Sequence, residues 1–473
     1  MGNRVIRFDN ARKTVNYLKK NGLVNTIYAA VERMQEERTA CYRYDAPDEE
    51  TLACQRRKSE DWPYLFSIVT PAYETKEEHL REMIASVQSQ SYGRWELVIV
   101  DAGQSDTVER TVRQIILETD DLRIHYSRLP ENRGIAGNTN AGIEMARGDY
   151  IALLDHDDFI TPDALYCMAV AVRAGERAGR PPALLYSDED KYDEGAKTFV
   201  NPHKKQKFNL DLILSNNYIC HFLAMEAGLM KRLKLRGDYD GAQDYDLVLR
   251  AVDSLWRAEA LRPETGRIRH IPQVLYHWRS HRASTALNTA SKTYAYEAGR
   301  RALEDFCAGR GWRVQVAHSL HLGFYRITYE PDFLNVRRDA GVVGGRILDR
   351  RGRIFAGAYD GGMRCLFQGM PGHFTGGSTH RAVLLQDCQA VDIRCIQVRE
   401  ECRHLFSEIT GLSYRERTIT AKTDGRRRQV RIADVTGLTC DEAGYRKLSI
   451  AFGRAVQRAG YLVVWDPSVT VRL

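Results

Sequence analysis

The sequence lacks the features that define several classes of protein. Its 10 cysteines include no Cys-x-x-Cys pair, and only 13 of its 473 residues are proline. With 43% hydrophobic residues, the composition excludes a disordered or collagen-like chain. The uncharged apolar runs, such as 66–69 and 151–154, are far shorter than the roughly 20 residues of a membrane-spanning helix. Residues 1–8 also lack the apolar stretch of a signal peptide. We therefore expect a cytoplasmic protein with sizeable cores and no disulfide framework.

The charge of the chain is mildly basic. A total of 69 Lys and Arg residues against 62 Asp and Glu residues gives a formal net charge of +7. Such an excess suits a phosphate-bearing ligand, an anionic membrane surface or a nucleic acid, and by itself it does not choose among them. A run of three arginines at 426–428 is typical of a solvated loop. The alternative is a contact with phosphate on a lipid-linked acceptor or on a membrane surface.

Three regions differ in their sequence pattern. Residues 1–62 are rich in Lys, Arg and Glu, and their apolar residues recur at helical spacing, which predicts an N-terminal helical segment. We expect these helices to dock onto the rest of the protein, with peripheral contact at the inner face of the plasma membrane as the alternative. The predicted boundaries give a main domain over 63–330 and a C-terminal domain over 331–473.

The main domain alternates strands with helices. This order predicts parallel β-α-β units, in which helices cover both faces of the sheet. Ligands in such folds bind beyond the carboxyl ends of the strands. The predicted strands are 65–70, 95–100, 123–127 and 149–154, and the predicted helices are 77–89, 107–119 and 136–147.

Carboxylates crowd the end of the fourth predicted strand. Asp155, Asp157 and Asp158 fall within four residues, separated only by His156. Like charges this close repel one another, and a hard cation such as Mg²⁺ or Mn²⁺ relieves the repulsion. The alternative is a solvated turn with aspartates that cap the next helix.

Seven ordered segments between about 64 and 320 resemble the motifs of the family 2 glycosyltransferases. Each motif alone is weak evidence, but their order along the chain is specific for the family. The segments are 67–73 (SIVTPAY), 100–106 (VDAGQSD), 132–142 (NRGIAGNTNAG), 153–158 (LLDHDD), 187–191 (SDEDK), 243–247 (QDYDL) and 276–279 (YHWR).

The resemblance implies a GT-A fold, which is a Rossmann-like, mixed and mostly parallel sheet with helices on both faces. It implies Asp244 as the catalytic base, and Asp157 and His277 as ligands of a divalent cation, Mn²⁺ or Mg²⁺. The residues that it implies for binding the nucleotide-sugar donor are Thr70, Pro71, Tyr73, Glu74, Asp101, Arg133, Asp155, Asp188, Glu189 and Arg279.

The sequence departs from the family pattern at two positions. Ala102 replaces an aspartate, so one polar contact to the base or ribose is missing. Gln243 stands where many relatives have Glu. The resulting Gln-Asp-Tyr-Asp variant resembles the rhamnosyltransferase-like branch, which implies rhamnose as the donor sugar.

The implied activity is inverting, metal-dependent transfer of a sugar to a bacterial cell-surface polysaccharide or to a lipid-linked acceptor, with no nucleic-acid partner. The alternative is a non-catalytic subunit that binds a nucleotide sugar in support of another transferase. A nucleotidyltransferase is disfavoured, since 70–76 is not a glycine- and lysine-rich phosphate loop. A Rossmann dehydrogenase is excluded because no G-x-G-x-x-G follows the first strand.

The C-terminal region resembles, more weakly, the later half of a second such domain. The similar segments are 341–357, 390–399 and 459–467. Strands are predicted over 341–348, 390–398 and 461–465, and a helix is predicted over 445–459. The region has no Asp-x-Asp strand end and no nucleotide-binding first strand. We therefore expect a degenerate copy that binds no nucleotide sugar and that serves packing, acceptor contacts or partner binding.

Overall fold

The computed structural model describes residues 18, 22–23, 26–28, 30–32, 42–256, 260–261, 263–280, 293–423 and 425–472. The helices of this part of the chain are α1 (Glu49–Ser59), α2 (Glu77–Gln88), α3 (Thr107–Thr119), α4 (Gly134–Met145), α5 (Ala164–Arg177), α6 (Leu210–Ile213), α7 (Ala227–Leu233), α8 (Gln243–Ser254), α9 (Thr293–Gly309), α10 (Phe333–Val336), α11 (Arg403–Thr410) and α12 (Glu442–Arg458). The strands are β1 (Phe66–Ala72), β2 (Trp95–Asp101), β3 (Ile124–Arg128), β4 (Tyr150–Leu153), β5 (Phe159–Ile160), β6 (Leu184–Asp193), β7 (Thr198–His203), β8 (Leu223–Glu226), β9 (Ile268–Ser280), β10 (Val314–His318), β11 (Tyr325–Tyr329), β12 (Ala340–Leu348), β13 (Ile354–Ala356), β14 (Ala358–Tyr359), β15 (Gln386–Asp387), β16 (Ala390–Val391), β17 (Ile396–Val398), β18 (Glu416–Thr423), β19 (Arg426–Ala433) and β20 (Leu462–Arg472).

The first large sheet has the strand order β3-β2-β1-β4-β8-β6-β9-β5, and β7 pairs with β6. Strands β3, β2, β1 and β4 are parallel, whereas β8 runs antiparallel to both β4 and β6. Helices α2, α3 and α4 connect the parallel strands. The predicted mixed α/β fold is confirmed. Its parallel strands carry their carboxyl ends to one edge, where the motif loops gather.

The helices of this region pack tightly on the sheet. In α3 the apolar side chains of Val108, Val112 and Ile115 recur at helical spacing and are buried. In α4 a Cβ atom at Gly142 would come within 2.5 Å of a methyl group of Val69. A glycine is therefore required at this helix–strand contact, and it lets α4 hold the 132–142 motif close above β1.

The second large sheet has the order β13-β12-β20-β18-β19, with β15 paired to β20 and β17 paired to β12. The β12–β20 pair is parallel, and the other pairs of this sheet are antiparallel. The predicted strand at 390–398 is interrupted, because the Asp392 side chain accepts a hydrogen bond from the amide of Arg394 and caps a short 3₁₀ turn. The predicted strand at 461–465 continues to Arg472, past a register shift against β12.

Contacts join the two sheet regions and part of the N-terminal segment. The side-chain amide of Asn209 donates to the backbone carbonyl of Asp387 at 2.9 Å, beside α6. The described residues between 18 and 32 are helical, and the Glu32 carboxylate accepts hydrogen bonds from the backbone amides of Thr375 and Gly377 at 3.0 and 3.2 Å. This part of the N-terminal segment therefore contacts the C-terminal region. No helix of the described chain combines the length and the apolar character needed to cross a membrane.

Candidate functional site

Asp101 ends β2 with a fully buried side chain. Its Oδ1 accepts a hydrogen bond from the amide of Gly103 at 2.8 Å, and its Oδ2 accepts one from the Tyr126 hydroxyl at 2.8 Å. Burial, and then the Asp101 charge, raise the pKa of Tyr126, so the phenol stays protonated as the donor. The carboxylate is thereby fixed at the strand end, in the position where the motifs predict a contact with the donor base.

Glu74 ties two motif loops together. It adopts a positive φ of 47°, and its Oε1 accepts hydrogen bonds from the amides of Gln104 and Ser105 at 2.6 and 3.2 Å. These amides lower the pKa of Glu74. A Cβ atom at Gly103 would approach both the Asp101 and Glu74 carboxylates to within 3.0–3.2 Å, which explains the glycine in this loop. Glu74 thus shapes the loop beside Tyr73, whose side chain is half exposed.

Three buried polar atoms near this edge have no hydrogen-bond partner among the described residues. They are the Thr70 and Thr75 hydroxyls and Nδ1 of His156. Thr70 lies in β1 directly before Pro71, and His156 lies in the loop after β4. Buried polar atoms are rarely left unpaired. Orphaned donors and acceptors at a strand-end edge fit a polar ligand.

Arg133 precedes α4 at the same edge. Its side chain is exposed, with Nε 3.2 Å from a carboxylate oxygen of Glu131. The next residue, Gly134, has a φ of +73°, and a Cβ atom there would lie 2.5 Å from the Asp240 carboxylate. Asp240 also accepts a hydrogen bond from the amide of Ala136 at 3.2 Å. The start of α4 is therefore held by Asp240, while Arg133 faces solvent.

The three aspartates after β4 have different surroundings. Asp158 is buried and accepts hydrogen bonds from the Tyr276 hydroxyl at 2.5 Å and from the amide of Arg279 at 2.7 Å. Burial, and then the charges of Asp155 and Asp157, raise the pKa of Asp158 well above its usual value. Asp155 and Asp157 are half-buried. Asp158 therefore anchors the loop, and the other two carboxylates lie closer to its surface.

Arg279 is a buried residue that supports the same loop. Only 2% of its surface is exposed, and its Nε donates to the carbonyl oxygen of Asp157 at 2.6 Å. Its guanidinium pairs with Glu82 and lies 3.8 Å from Glu194. The contacts of Arg279 are thus to protein groups, and they position the loop that carries Asp155 and Asp157.

His277 is buried among aromatic rings. Its Nδ1 is 2.6 Å from a carboxylate oxygen of Asp190, and its ring lies 4.4 to 4.9 Å from the rings of Phe199, Tyr44 and Phe159. A carboxylate on one nitrogen is the usual arrangement for a histidine whose other nitrogen binds a metal. However, no three His, Cys, Asp or Glu side chains of the described residues converge on a metal site. A cation here would need ligands from a bound diphosphate or from water.

Asp188 and Glu189 make buried polar contacts. Asp188 accepts hydrogen bonds from the amide of Lys205 at 2.8 Å and from His270 at 2.7 Å. Glu189 lies 3.2 Å from both Lys205 Nζ and His203 Nδ1. Burial alone would raise the pKa of Glu189, but Lys205 and the histidines outweigh burial and lower it. Glu189 is therefore held as a carboxylate by a buried lysine.

Asp244 is the second residue of α8, and its side chain is half-buried. Its Oδ2 accepts a hydrogen bond from the side-chain amide of Asn217 at 2.7 Å. Burial raises the pKa of Asp244, His221 opposes that rise, and Asp155 adds to it. The electrostatic coupling with Asp155 means that the structure brings this carboxylate close to the strand-end aspartates.

Asp246, two residues along, differs from Asp244. It is buried and forms ion pairs with Arg236 and with Arg250, the latter at 2.7 Å. A carboxylate held by two guanidinium groups is a poor proton acceptor. Of the two aspartates of this motif, Asp244 is therefore the one whose surroundings leave it better able to accept a proton.

Three side chains of the site were missed by the sequence analysis: Lys205, Asn217 and His221. Lys205 lies in a run of basic residues that is typical of a solvated loop, yet its side chain is fully buried. Asn217 and His221 lie in the segment before β8, where no motif marks them. Only the folding of this segment against α8 and β6 identifies them, and no local sequence signal would have done so.

Comparison with known proteins identifies the domain that these loops form. The family model described as "Glycosyl transferase family 2" matches residues 67–233. An uncharacterized protein y4gI of Sinorhizobium fredii is 39% identical over 246 residues, which are 52% of this chain and 25% of that protein. The O-antigen biosynthesis protein RfbC of Myxococcus xanthus is 34% identical over 267 residues, which are 56% of this chain and 20% of that protein.

Among solved structures, S. aureus TarS 1–349 in complex with UDP-GlcNAc is similar at 18% identity and a TM-score of 0.39, covering 50% of this chain and 65% of that one. The chain spans only a quarter and a fifth of the length of the two relatives named above. The matched residues 67–233 contain β1 to β8, with the first five of the seven motifs. Residues 67–233 therefore form a family 2 glycosyltransferase domain.

Proposed function

We propose that the protein transfers a sugar, with inversion, from a nucleotide-diphosphate donor to a saccharide of a cell-surface polysaccharide or to a lipid-linked saccharide. The family 2 domain supports the reaction class. The polysaccharide acceptor is supported by the relative RfbC, which is named as an O-antigen biosynthesis protein. We also propose domain boundaries near residues 62 and 330.

The donor would bind at the edge formed by the loops after β1, β2 and β4. Asp101 is fixed there by Tyr126, and the Thr70 hydroxyl is buried without a partner among the described residues. In this proposal Asp101 accepts from a ring N–H of the base, and Thr70, Pro71 and Tyr73 line the pocket. Arg133, exposed at the same edge, would reach the donor phosphates.

A divalent cation, Mn²⁺ or Mg²⁺, fits the carboxylates after β4. Asp157 and Asp155 offer hard oxygen ligands in a loop fixed by Asp158 and Arg279. His277 would add a nitrogen ligand through Nε2. When bound, such a cation neutralises the charge that develops on a departing diphosphate. The chain's own residues would hold and orient it, and Glu189 with Lys205 would support the neighbouring strand.

Asp244 would remove the proton from the acceptor hydroxyl. An alcohol is a poor nucleophile at neutral pH, so a carboxylate within hydrogen-bond reach must accept its proton. Asp244 is half-buried, has a raised pKa and interacts electrostatically with Asp155. This is the single observation that carries the proposal, because it couples the candidate base to the donor edge. A separate base and metal allow a single in-line displacement without a covalent enzyme intermediate.

The Gln243-Asp244-Tyr245-Asp246 variant supports rhamnose as the donor sugar. A thermal-shift screen of nucleotide sugars with Mn²⁺ tests this, since only a bound donor stabilises the folded state. The alternative function is a non-catalytic subunit that binds the nucleotide sugar for another transferase. Such a subunit would be stabilised by the donor but would turn over none of it.

The Asp244→Asn variant tests the base. Asparagine keeps the shape of the side chain but cannot accept the proton, so kcat for sugar transfer should fall roughly 10²- to 10⁴-fold. Donor affinity should stay unchanged, because the base touches only the acceptor. Asp253→Asn is the matched control: it makes the same change near the C-terminal end of α8 and should retain activity.

Transfer by Asp244→Asn within a few-fold of wild type would assign the base to another residue. Loss of donor binding would instead place Asp244 in the donor or metal shell. Absence of turnover by the wild-type protein with every donor that stabilises it would favour the non-catalytic subunit.

A further inference from the structure

A cavity lies on the C-terminal sheet, outside the proposed donor site. Its volume is about 920 Å³. No Asp or Glu occurs among the described residues that line it, and Asp424 lies outside the described residues. The titratable side chains that line the cavity are all basic, namely Arg326, Arg346, His373, Lys422, Arg427 and Arg472.

The register of the sheet explains why these charges converge. Arg346 of β12 pairs with Thr470 of β20, Thr470 pairs with Lys422 of β18, and Lys422 pairs with Arg427 of β19. Directly opposed residues project from the same face of a sheet, and neighbouring strands are about 4.8 Å apart. Three cations therefore form one row across four strands. Arg472, two residues beyond Thr470, projects from the same face.

No carboxylate of the described residues lies within ion-pair distance of this row. Arg346, Lys422 and Arg427 form no ion pair there, and like charges placed opposite each other on a sheet are destabilising. Of the nearby acids, Asp466 accepts a hydrogen bond from the backbone amide of Ser468 at 2.9 Å and acts on Arg346 through its charge without an ion pair, and Glu32 accepts from the backbone amide of Thr375 at 3.0 Å. An anion from outside the protein would relieve the repulsion.

The floor of the cavity contains unsatisfied polar atoms. Arg346 Nη1 and the Ser468 hydroxyl are buried without a hydrogen-bond partner among the described residues. Arg346 Nε reaches only the Thr470 hydroxyl, at 3.3 Å. Burial lowers the pKa of Arg346 to about 10, with Asp466 acting against that shift, so the arginine still carries its charge at neutral pH. A charged guanidinium with an unused buried donor is suited to a phosphate oxygen.

We propose that this cavity binds the phosphate groups of a ligand, as a phosphomonoester, diphosphate or phosphodiester. Arg346 and Ser468 contact the phosphate from the floor, and Lys422, Arg427 and Arg472 surround it at the rim. The volume admits a phosphate together with the group that carries it. The site is separate from the donor edge of the first sheet, and phosphate binding here requires no divalent cation.

The test is calorimetry with inorganic diphosphate, using the full chain in EDTA so that metal-dependent binding at the donor edge is suppressed. The wild type should bind diphosphate saturably. The double variant Lys422→Gln/Arg427→Gln should weaken binding by roughly ten-fold or more, because charge-assisted contacts to phosphate are lost. Both side chains are exposed, so the fold should persist, which the melting temperature verifies.

The matched control is the double variant Arg426→Gln/Arg428→Gln. It removes the same charge from the same hairpin, but these residues alternate with Arg427 and project from the opposite face. Its affinity for diphosphate should remain within about two-fold of wild type, since long-range attraction at ordinary salt is screened. Equal weakening by both double variants, or no saturable binding by the wild type, would overturn the proposal.

Vesicles distinguish the two sources of phosphate. If phosphatidylglycerol-containing vesicles sediment the wild type and the control but not Lys422→Gln/Arg427→Gln, the ligand is a lipid headgroup. If diphosphate binds and the vesicles do not, the ligand is a soluble phosphate-bearing molecule. Diphosphate binding in EDTA is independent of sugar transfer, so failure of the transferase proposal would leave this result intact.

Discussion

The two large sheets collect opposite charges. At the edge of the first sheet, Asp155, Asp157 and Asp158 crowd one loop, and Asp244 is close enough to interact with Asp155. On the second sheet, arginines and a lysine form a row, with Arg346 at its floor. Burial raises the pKa of Asp158 and lowers that of Arg346, so in both places the fold opposes the charge that the side chain carries. Each cluster is suited to a ligand of opposite charge.

The two clusters are built in different ways. The acidic cluster lies in loops at the ends of parallel strands, where residues close in sequence meet at one edge. The basic row lies within strands, and its members come from four segments that pair across the sheet. Short motifs therefore reveal the first, whereas only strand register reveals the second. The predictions below test how far this contrast holds.

The largest effect is expected from Asp157→Asn. The change removes one of the two half-buried carboxylates that would hold a cation, so metal-dependent turnover should be abolished. Because the Asp157 charge raises the pKa of Asp158, its removal should lower that pKa and leave the loop folded. Calorimetric titration of Mn²⁺ in the presence of donor, together with turnover, provides the measurement.

Asp193→Asn is the matched control for this prediction. Asp193 accepts hydrogen bonds from the backbone amides of Gly195 and Ala196, both at 3.0 Å, in the turn after β6, and its change should leave metal affinity and turnover intact. Near wild-type turnover by Asp157→Asn with Mn²⁺ or Mg²⁺ would show that the acidic cluster does not work through a cation. The acidic cluster of the first sheet and the basic row of the second would then differ in the sign of their charge, with no evidence that the acidic cluster binds a cation.

Sequence pattern predicted the first sheet well because its elements are locally encoded. The bounds of α3 agree with the predicted 107–119, since apolar residues at helical spacing define one buried face. In the second sheet the same reasoning was less accurate. Asp392 caps a 3₁₀ turn inside a predicted strand, and β20 runs on to Arg472 through a register shift that depends on β12. Long-range pairing decided those bounds.

The candidate site likewise contains residues that local motifs indicate and residues that only tertiary contacts reveal. The motifs indicated Asp101, Asp157 and Asp244 as candidates, because their residue types and spacing resemble the family pattern, and their roles stay predictions. They did not locate Lys205 or His221, because neither residue stands in a motif and each acts through a tertiary contact. A buried lysine on Glu189 is invisible until the segment before β8 folds against β6.

A smaller effect, on stability, is expected from Arg337→Leu. Arg337 is fully buried, pairs with Asp211 of α6 and Asp339 beside β12, and so links the two sheet regions. Leucine would leave both carboxylates buried and unpaired, which should cost about 3–5 kcal/mol in the free energy of unfolding. Urea denaturation monitored by circular dichroism measures it.

The neighbouring exposed Arg338→Leu is the control and should change the free energy of unfolding by less than about 0.5 kcal/mol. If Arg337→Leu were as stable as wild type, the buried ion pairs would not couple the regions. A variant that unfolds in two separate transitions would show that each sheet region is stable by itself and that Arg337 supplies their cooperativity.

The smallest effect is expected from His221→Gln, as a shift in the pH dependence of transfer. The pKa of Asp244 is raised by burial and by Asp155, and His221 acts against that rise. Removing the histidine should therefore raise the pKa of Asp244 further. A general base works only when deprotonated, so the acid limb of kcat/KM should move to higher pH, by roughly one unit or less. The plateau above that limb should keep its height.

Since the folded-state pKa of Asp244 exceeds its unfolded value, its stabilising contribution is present at low pH and is lost as the pH rises through the folded pKa. The variant should accordingly lose slightly more stability than wild type between acid and neutral pH. His318→Gln removes a histidine that pairs with Glu297 instead, and it should leave the limb in place. A limb that stays fixed in His221→Gln, or moves to lower pH, would mean that the titrating group is not Asp244.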